Sequence, residues 1–170
     1  SDTLANVDAG AATTLKSTNK VDTVIANATS GANISATNVA DVDSIVLTAS
    51  QTYTLSTAQA LIAKVGSGTV KDVSSATVTV AASSGDDLTT LVGVTSVTAA
   101  SSANLTLTAG QANVAVINGG SAGALGSAGT VTVNAATGVN LATGSSALTA
   151  SGVDSIVLTA SQTYTLSTAQ

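Results

Sequence analysis

The chain has 170 residues, of which 44% are hydrophobic but only 1% aromatic, and its formal net charge is −5. His and Cys do not occur, so no Ser-His or Cys-His nucleophile and no disulfide can be assembled. All charged side chains, 8% of the residues, are Asp or Lys. This acidic balance without a basic patch disfavours nucleic acid as a partner, and we expect no enzymatic activity.

The apolar side chains are small, because Phe, Trp and Met are absent. Aromatic residues normally supply much of the buried area of a globular core. A core of Val, Ile, Leu and Ala instead needs thin and regular layers, as in a parallel β-solenoid. Ser, Thr, Asn and Gly interrupt the charge-free segment 88–153 throughout. We therefore expect no transmembrane segment, which would need about 18 or more consecutive apolar residues.

Taken in order, the chain opens with a mixed polar segment and then becomes repetitive. Residues 1–20 are predicted to be an irregular lead-in or a first rung, and residues 21–170 a repetitive β-solenoid. Runs rich in Val, Ile and Thr, separated by Gly, Asn, Ser and Asp, are typical of short strands. The predicted strands are VDTVIA (21–26), VDSIVLT (42–48), TYTLS (52–56), TVKDV (69–73), ATVTVAA (76–82), VTSVTAA (94–100), NLTLT (104–108), VAVIN (114–118) and TVTVNA (130–135).

One long stretch of sequence occurs twice without a change. VDSIVLTASQTYTLSTAQ occupies 42–59 and again 153–170, and a diverged copy, VTSVTAASSANLTLTAGQ, occupies 94–111. Further strand-like starts occur at Val21 and Val70, so that Val21, Val42, Val70 and Val94 mark a nearly regular series. From this spacing we predict solenoid rungs of about 20–28 residues, within the range of about 20–50 residues that is typical of repeat architectures. The side chains predicted to face inward are Val42, Ile45, Leu47, Leu55, Val94, Val97, Leu105, Leu107, Val153 and Ile156.

Two segments have a helical pattern and are predicted to form short helical turns at corners. Ser56 or Thr57 would cap a helix over residues 58–64 that Gly66 closes. Asp86 and Asp87 would start a turn of helix through Leu88, Leu91 and Val92 that Gly93 closes. A leucine-rich-repeat-like solenoid is the alternative fold, because LTTLVGVTSVTAASSANLTL places leucines and an asparagine at nearly suitable intervals.

Two pairs of carboxylates could hold calcium, whose preferred ligands are hard oxygens. Asp41 and Asp43 would share one face of a strand, and Asp86 and Asp87 are adjacent. We favour loop charges and a helix N-cap for these residues, because the second repeat copy has Gly152 where Asp41 stands in the first. We predict no catalytic, cofactor or metal residues, with calcium as the ion to test.

The threonine-rich runs suggest ice binding as an alternative function. Ladders of Thr hydroxyls could order water, as ice-binding solenoids do, but Thr is also a good strand former. The uneven rung spacing favours the second interpretation.

The LSTAQ tags at Leu55 and Leu166 and the LTAGQ tag at Leu107, alternating with VDSIVLT and TVTV strands, resemble the Ala/Thr/Ser/Val-rich strand repeats of bacterial cell-surface proteins. S-layer proteins and giant secreted adhesins, many exported by type I secretion, belong to this group. The calcium-binding nonapeptide that often accompanies them is absent, since GGSAGALG at 119–126 has no Asp.

The resemblance implies an extracellular structural module that assembles with copies of itself into a surface layer or fibre. Cell-surface polysaccharide is a second partner to consider. The stalk of a giant adhesin is the alternative role, and an ice-binding solenoid a more distant one. The second repeat copy stops at a glutamine that in the first copy continues into AlaLeuIleAlaLysVal. We therefore expect this chain to be a fragment of a longer repeat array.

Overall fold

Short parallel β-strands dominate the secondary structure, which is mainly β with few helices. The structure, a computed structural model, describes residues 5–8, 24–28, 31–39 and 42–170. The chain divides into two compact units, Ser1–Ala81 with Thr90–Thr95, and Ala82–Thr89 with Ser96–Gln170. The β-rich, mainly parallel architecture predicted from the strand-like runs is confirmed.

The first unit contains two parallel sheets. Its elements are β1 (Ala5–Asp8), β2 (Val24–Asn27), β3 (Ser44–Leu47), β4 (Thr52–Ser56), helix α1 (Thr57–Ala60), β5 (Ala63–Val65) and β6 (Thr77–Ala82, whose last residue belongs to the second unit). One sheet has the order β1-β2-β3-β5, and β4 pairs with β6 in the other. From β3 to β6 the chain enters the two sheets alternately.

The second unit repeats this arrangement. Its elements are β7 (Asp86–Asp87), β8 (Ser96–Ala99), β9 (Leu105–Leu107), helix α2 (Ala109–Val114), β10 (Ala115–Ile117), β11 (Val131–Asn134) and β12 (Ser155–Val157). One sheet has the order β7-β9-β11-β12, and β8 pairs with β10 in the other. From β7 to β11 the chain again alternates between the two sheets.

The register of the strands gives the length of one repeat. A short step between paired strands that follow each other in one sheet runs from Ile45 to Ala63, and an equal one runs from Val97 to Ala115. The longest step runs from Leu105 to Val131. The longest steps lie within the predicted rung length, but the shortest ones lie slightly below it, because tight corners shorten some of the connections.

The core consists of the apolar side chains on one face of each strand. In β4, Tyr53 and Leu55 are buried while Thr52 is exposed, because successive side chains of a strand point to opposite faces. Most of the residues predicted to face inward are buried, namely Val42, Ile45, Leu47, Leu55, Val97, Leu105 and Leu107. The prediction is wrong for Val94, Val153 and Ile156, which are half-buried. Val94 precedes β8, and the other two lie in or beside β12, which has a partner on one side only.

Three predictions of local structure need correction. Residues 86–87 form β7, paired with Leu105 and Thr106 of β9, instead of starting a helix. Helix α1 begins after Ser56 as predicted but ends at Ala60, because residues 63–65 pair with β3. The predicted strand 69–73 makes only an isolated bridge from Asp72 to Val92, because Lys71 has a φ of 73°, which breaks an extended chain.

Helix α2 and strands β10 and β1 also differ from the predicted elements. Helix α2 covers residues for which no helix is predicted, and β10 takes only the middle three residues of the predicted VAVIN strand. Strand β1 lies inside the predicted lead-in, and the rest of that lead-in lies outside the described residues. In the part of the chain that the structure describes, no helix has the length and apolar character needed to cross a membrane.

Candidate functional site

The three glutamine tags form one recurring structure. Ser56 caps α1, its side chain accepting from the main-chain N–H of Gln59, while the Gln59 side chain accepts from the N–H of Ser56 at 2.9 Å. Thr108 and Gln111 form the same reciprocal pair at the start of α2. In the third copy the N–H of Ser167 donates to Gln170 Oε1, also at 2.9 Å. In the first two copies the L-[ST]-x-x-Q pattern is therefore a capping box with glutamine at its fourth position, and the third copy keeps the bond to the glutamine side chain without a helix.

The other end of each glutamine side chain reaches an earlier part of the chain. Gln59 Nε2 donates to the main-chain carbonyls of Ile34 and Thr37, and Gln111 Nε2 donates to that of Leu88 at 2.8 Å. Gln170 Nε2 donates to Leu141 at 2.9 Å and to Leu148 at 3.1 Å. Each amide thus satisfies a carbonyl 22 to 29 positions earlier and ties two successive repeats together.

The segments that receive these bonds share a turn that the sequence analysis did not identify. In Asp87-Leu88-Thr89, Asp87 Oδ1 accepts from the N–H and the hydroxyl of Thr89 at 2.9 and 2.6 Å, and Leu88 is fully buried. Asn33-Ile34-Ser35 and Asp72-Val73-Ser74 have the same bonds, and Asn140 accepts from Ala142. The detectable signal is Asx, an apolar residue, then Ser or Thr, a pattern of Asx turns.

In three of these turns both the N–H and the C=O of the buried residue make hydrogen bonds to a later repeat. The N–H of Ile34 donates to Thr54, that of Leu88 to Thr106, and that of Leu141 to Thr165. These three threonines occupy one position of the repeat. Each repeat therefore holds an earlier turn with one strand carbonyl and one glutamine amide, which removes the cost of burying unpaired polar groups.

The predicted carboxylate candidates do not converge. Asp41 lies outside the described residues, and Asp43 is exposed beside β3. Asp86 and Asp87 are neighbours in a strand, so their side chains point to opposite faces, and each accepts local hydrogen bonds, from Ser83 and Thr89 respectively. Their favoured role as a helix N-cap is wrong, since no helix starts there. Among the described residues no group of three or more potential metal ligands occurs.

Threonines of paired strands lie opposite each other in both units. Thr52 lies opposite Thr77 and Thr54 opposite Thr79. In the second unit Thr132 lies opposite Thr106 on one side and opposite Ser155 on the other. The row in the second unit is two threonines wide, because Asp87 lies on the other side of Thr106 and Ser155 on the other side of Thr132, and this is much narrower than a flat ice-binding array would require.

A shallow groove occurs at the same repeat position in each unit. In the first unit it has a volume of about 450 Å³ and lies between residues 37–39 and the start of α1, with Val42, Ser56 and Ala58 in its walls. In the second unit a groove of about 510 Å³ has Val153, Ser167 and Ala169 at the equivalent positions. The described lining residues are mostly apolar or hydroxyl-bearing, and among them Asp154, in the second groove, is the single carboxylate. That carboxylate accepts from the N–H of Val131 at 2.8 Å.

The two identical copies differ most in the exposure of residues 155–170 of the second copy, which we call the open face. In the first copy β3 is covered by β5 and β4 by β6. In the second copy β12 pairs with β11, and no described strand lies on its other side. Leu47 and Leu55 are 1% and 0% exposed, whereas their counterparts Leu158 and Leu166 are 41% and 40% exposed. The open face comprises residues 155–170, with Val157, Leu158 and Leu166 exposed and Tyr164 half-buried.

The open face is the part of the described chain in which apolar side chains that the first copy buries are exposed. No family model, curated protein or solved structure matches the sequence or the fold. The interpretation of this surface therefore depends on the chain's own two copies, one of which is covered and one of which is not.

Proposed function

We propose that this chain is a structural repeat module of a self-assembling extracellular bacterial layer or filament. The observation that carries the proposal is the recurring link between repeats, in which the glutamine of each tag bonds the start of its own segment and donates to a main-chain carbonyl of an earlier repeat. Chains of such linked repeats, in which each repeat contacts mainly its sequence neighbours, are typical of extended structural arrays.

The finer fold that we propose is a parallel β-solenoid in each unit. The support is the alternation of successive strands between two parallel sheets, with steps as short as Ile45 to Ala63 and as long as Leu105 to Val131. A leucine-rich-repeat-like solenoid would carry its strands in one sheet, which makes it the weaker alternative. A solenoid contacts only its sequence neighbours and leaves surfaces at its ends that must be capped or bound.

The composition of the surface supports association with copies of the same kind. Residues 155–170 contain no charged side chain, and natural edge strands are normally protected from association by charges, Pro or a bulge. Pro is absent from the chain. Short Ser, Thr and Ala side chains also lose little rotamer entropy when an interface orders them.

Sedimentation velocity over a wide range of concentration, followed by negative-stain microscopy, tests the proposal. We expect mass to rise with concentration and sheets or filaments with regular contacts to form. Isolated, non-associating rods at high concentration would leave the adhesin stalk as the better role. A calorimetric calcium titration of the same sample tests an alternative. Tight stoichiometric binding would indicate a calcium-dependent module instead.

A further inference from the structure

We propose that Asn118 is a site of spontaneous deamidation, at which the main-chain nitrogen of Gly119 displaces ammonia from the side-chain amide. The inference goes beyond the proposed function and does not rest on it. It concerns the turn that follows β10, where Asn118 and Gly119 are the only Asn-Gly pair in the sequence.

Residues 117–120 form a tight turn that holds this pair at the surface. Asn118 has a φ of 49° and Gly119 a φ of 73°, and the N–H of Gly120 donates to the carbonyl of Ile117 at 2.9 Å. Two successive positive φ angles closed by such a bond are characteristic of a type I′ turn, in which Asn-Gly is a preferred pair. Both residues are exposed, so water has access to the side chain and to the main chain beside it.

The two groups that would react are not engaged elsewhere. Among the described residues neither the side-chain amide of Asn118 nor the N–H of Gly119 has a hydrogen-bond partner. A Cβ added at Gly119 would meet nothing within 4 Å apart from its chain neighbours, so the space beside this residue is open. Glycine also has no side chain to shield its own nitrogen. The attacking nitrogen and the amide carbon are therefore both accessible.

The reaction closes a cyclic imide between residues 118 and 119. The Gly119 nitrogen loses its proton and bonds to Cγ of Asn118, while the bond from Cγ to Nδ2 breaks and Nδ2 leaves as ammonia. Attack within one chain has an entropic advantage over attack by water. The turn must open briefly for the nitrogen to reach Cγ, and exposed loops open locally at little cost. Water then opens the imide at either of its carbonyls, which gives aspartate or isoaspartate.

Asn140 has the opposite arrangement and is the matched control within the same unit. It is also exposed, but its Oδ1 accepts from the N–H groups of Ala142 and Thr143 at 2.9 and 3.0 Å. The N–H of the following residue, Leu141, donates to the carbonyl of Thr165 at 2.9 Å, and the Leu141 side chain is buried. Because its amide and the next nitrogen are both held, Asn140 should react slowly.

The products change both the charge and the main chain at the end of β10. Either product adds a carboxylate to the segment 88–153, in which no residue is charged. Isoaspartate also inserts a carbon atom into the main chain between the Asn118 Cα and Gly119. This insertion disturbs the turn bond from Gly120 to Ile117, so we expect the end of β10 to loosen.

Mass spectrometry with fragmentation measures the conversion of each asparagine separately. We incubate the wild-type chain in mildly alkaline buffer and follow its fold by circular dichroism. We expect Asn118 to be converted at least about tenfold faster than Asn140, to a mixture of aspartate and isoaspartate.

Two variants test the roles of the reacting groups. Gly119→Ala adds a Cβ next to the attacking nitrogen, and we expect conversion of Asn118 to slow at least about tenfold. Asn118→Gln keeps an amide but places its carbon one bond further from the nitrogen, and we expect the release of ammonia from this site to fall at least about tenfold.

The outcomes are decisive in each direction. Equal rates at Asn118 and Asn140 in the folded chain would overturn the inference, and so would conversion of Asn118 only after unfolding in urea. Aspartate without isoaspartate, or an unchanged rate in Gly119→Ala, would indicate direct hydrolysis by water and refute the role of the Gly119 nitrogen. Since none of these outcomes depends on assembly, the sedimentation experiment tests the proposed function independently.

Discussion

The side-chain amide of Gln59 donates to the main-chain carbonyl of Ile34, 25 positions earlier in the chain. Both residues are buried, at 0% and 2% exposure, and the same glutamine also satisfies Thr37 and the N–H of Ser56. One side chain therefore caps a helix and joins two repeats. An amide is suited to this role because it carries a donor and an acceptor on the same carbon atom.

Replacing this glutamine should be costly in the first copy and mild in the last. Gln59→Ala leaves the buried carbonyl of Ile34 without its amide donor, and an unsatisfied buried polar group costs about 1–3 kcal/mol. With the lost cap we expect a loss of about 2–4 kcal/mol in the free energy of unfolding. Gln170→Ala should cost about 1 kcal/mol or less, because Gln170 is only half-buried and water can replace it. Urea denaturation measures both, and equal losses would contradict the account.

A pair of leucines tests how much the covering strand contributes. Leu47→Ala should destabilise by about 2–5 kcal/mol, as is typical of fully buried leucines. Leu158→Ala changes the same residue in the same repeated sequence but at 41% exposure. We expect its loss to stay below about 1 kcal/mol in dilute monomer. A comparable loss in both variants would show that the second copy is covered in solution.

Removing the hydroxyl of Thr57 should stabilise the protein. Its Oγ1 is buried and has no hydrogen-bond partner among the described residues, and the middle copy has Ala109 at the same position. Thr57→Val keeps the shape and removes the unpaired group, which should raise the free energy of unfolding by about 1 kcal/mol. Thr168→Val, the exposed equivalent, should change it by less than about 0.5 kcal/mol. A destabilised Thr57→Val would indicate an internal water on that hydroxyl.

The Asx turn at Asp72 should make the stability of the protein depend on pH. Hydrogen bonds from the Ser74 hydroxyl at 2.5 Å and the Ser74 N–H at 3.0 Å hold the pKa of the Asp72 carboxyl below its ordinary value. A lowered folded-state pKa contributes stability that is present above the unfolded pKa of about 3.9 and is lost as pH falls through the folded pKa. In an NMR titration, Ser74→Ala should raise the pKa of Asp72 towards its ordinary value. Ser75→Ala, a neighbouring exposed serine, should leave it unchanged, and an equal shift in both variants would refute this cause.

Strand positions could be predicted well because their pattern is local. Thr and Ser alternate with Val, Ile and Leu, and strands β4, β6, β9 and β11 lie where that alternation is strongest. The predictions that were wrong concern segments with competing local options. Asp86 and Asp87 are good helix caps, yet their main chain pairs with β9, and the helical pattern of residues 58–64 gives way to pairing of β5 with β3. Pairing between segments that are distant in sequence outweighs propensity in both cases.

The candidate surface could not have been found from the sequence, although its residues were known to be duplicated. The two identical copies determine their own local structure: both place a serine in the left-handed region, Ser50 at φ 60° and Ser161 at φ 62°. In both, a tyrosine hydroxyl accepts from the main chain at 3.0 Å, Tyr53 from Thr48 and Tyr164 from Thr159. These features depend on neighbours within the repeat and are the same wherever the repeat occurs.

Burial was decided only by the tertiary structure. Leu47 and Leu158 have identical neighbours in sequence, yet one is 1% and the other 41% exposed. A side chain is removed from water by what lies against it, and β5, which lies along β3, comes from outside the repeated segment. The sequence by itself therefore determined a repeating parallel β-structure and its local turns. The tertiary structure decided which copy is core and which is surface, because the hydrophobic effect acts on the area that neighbours cover.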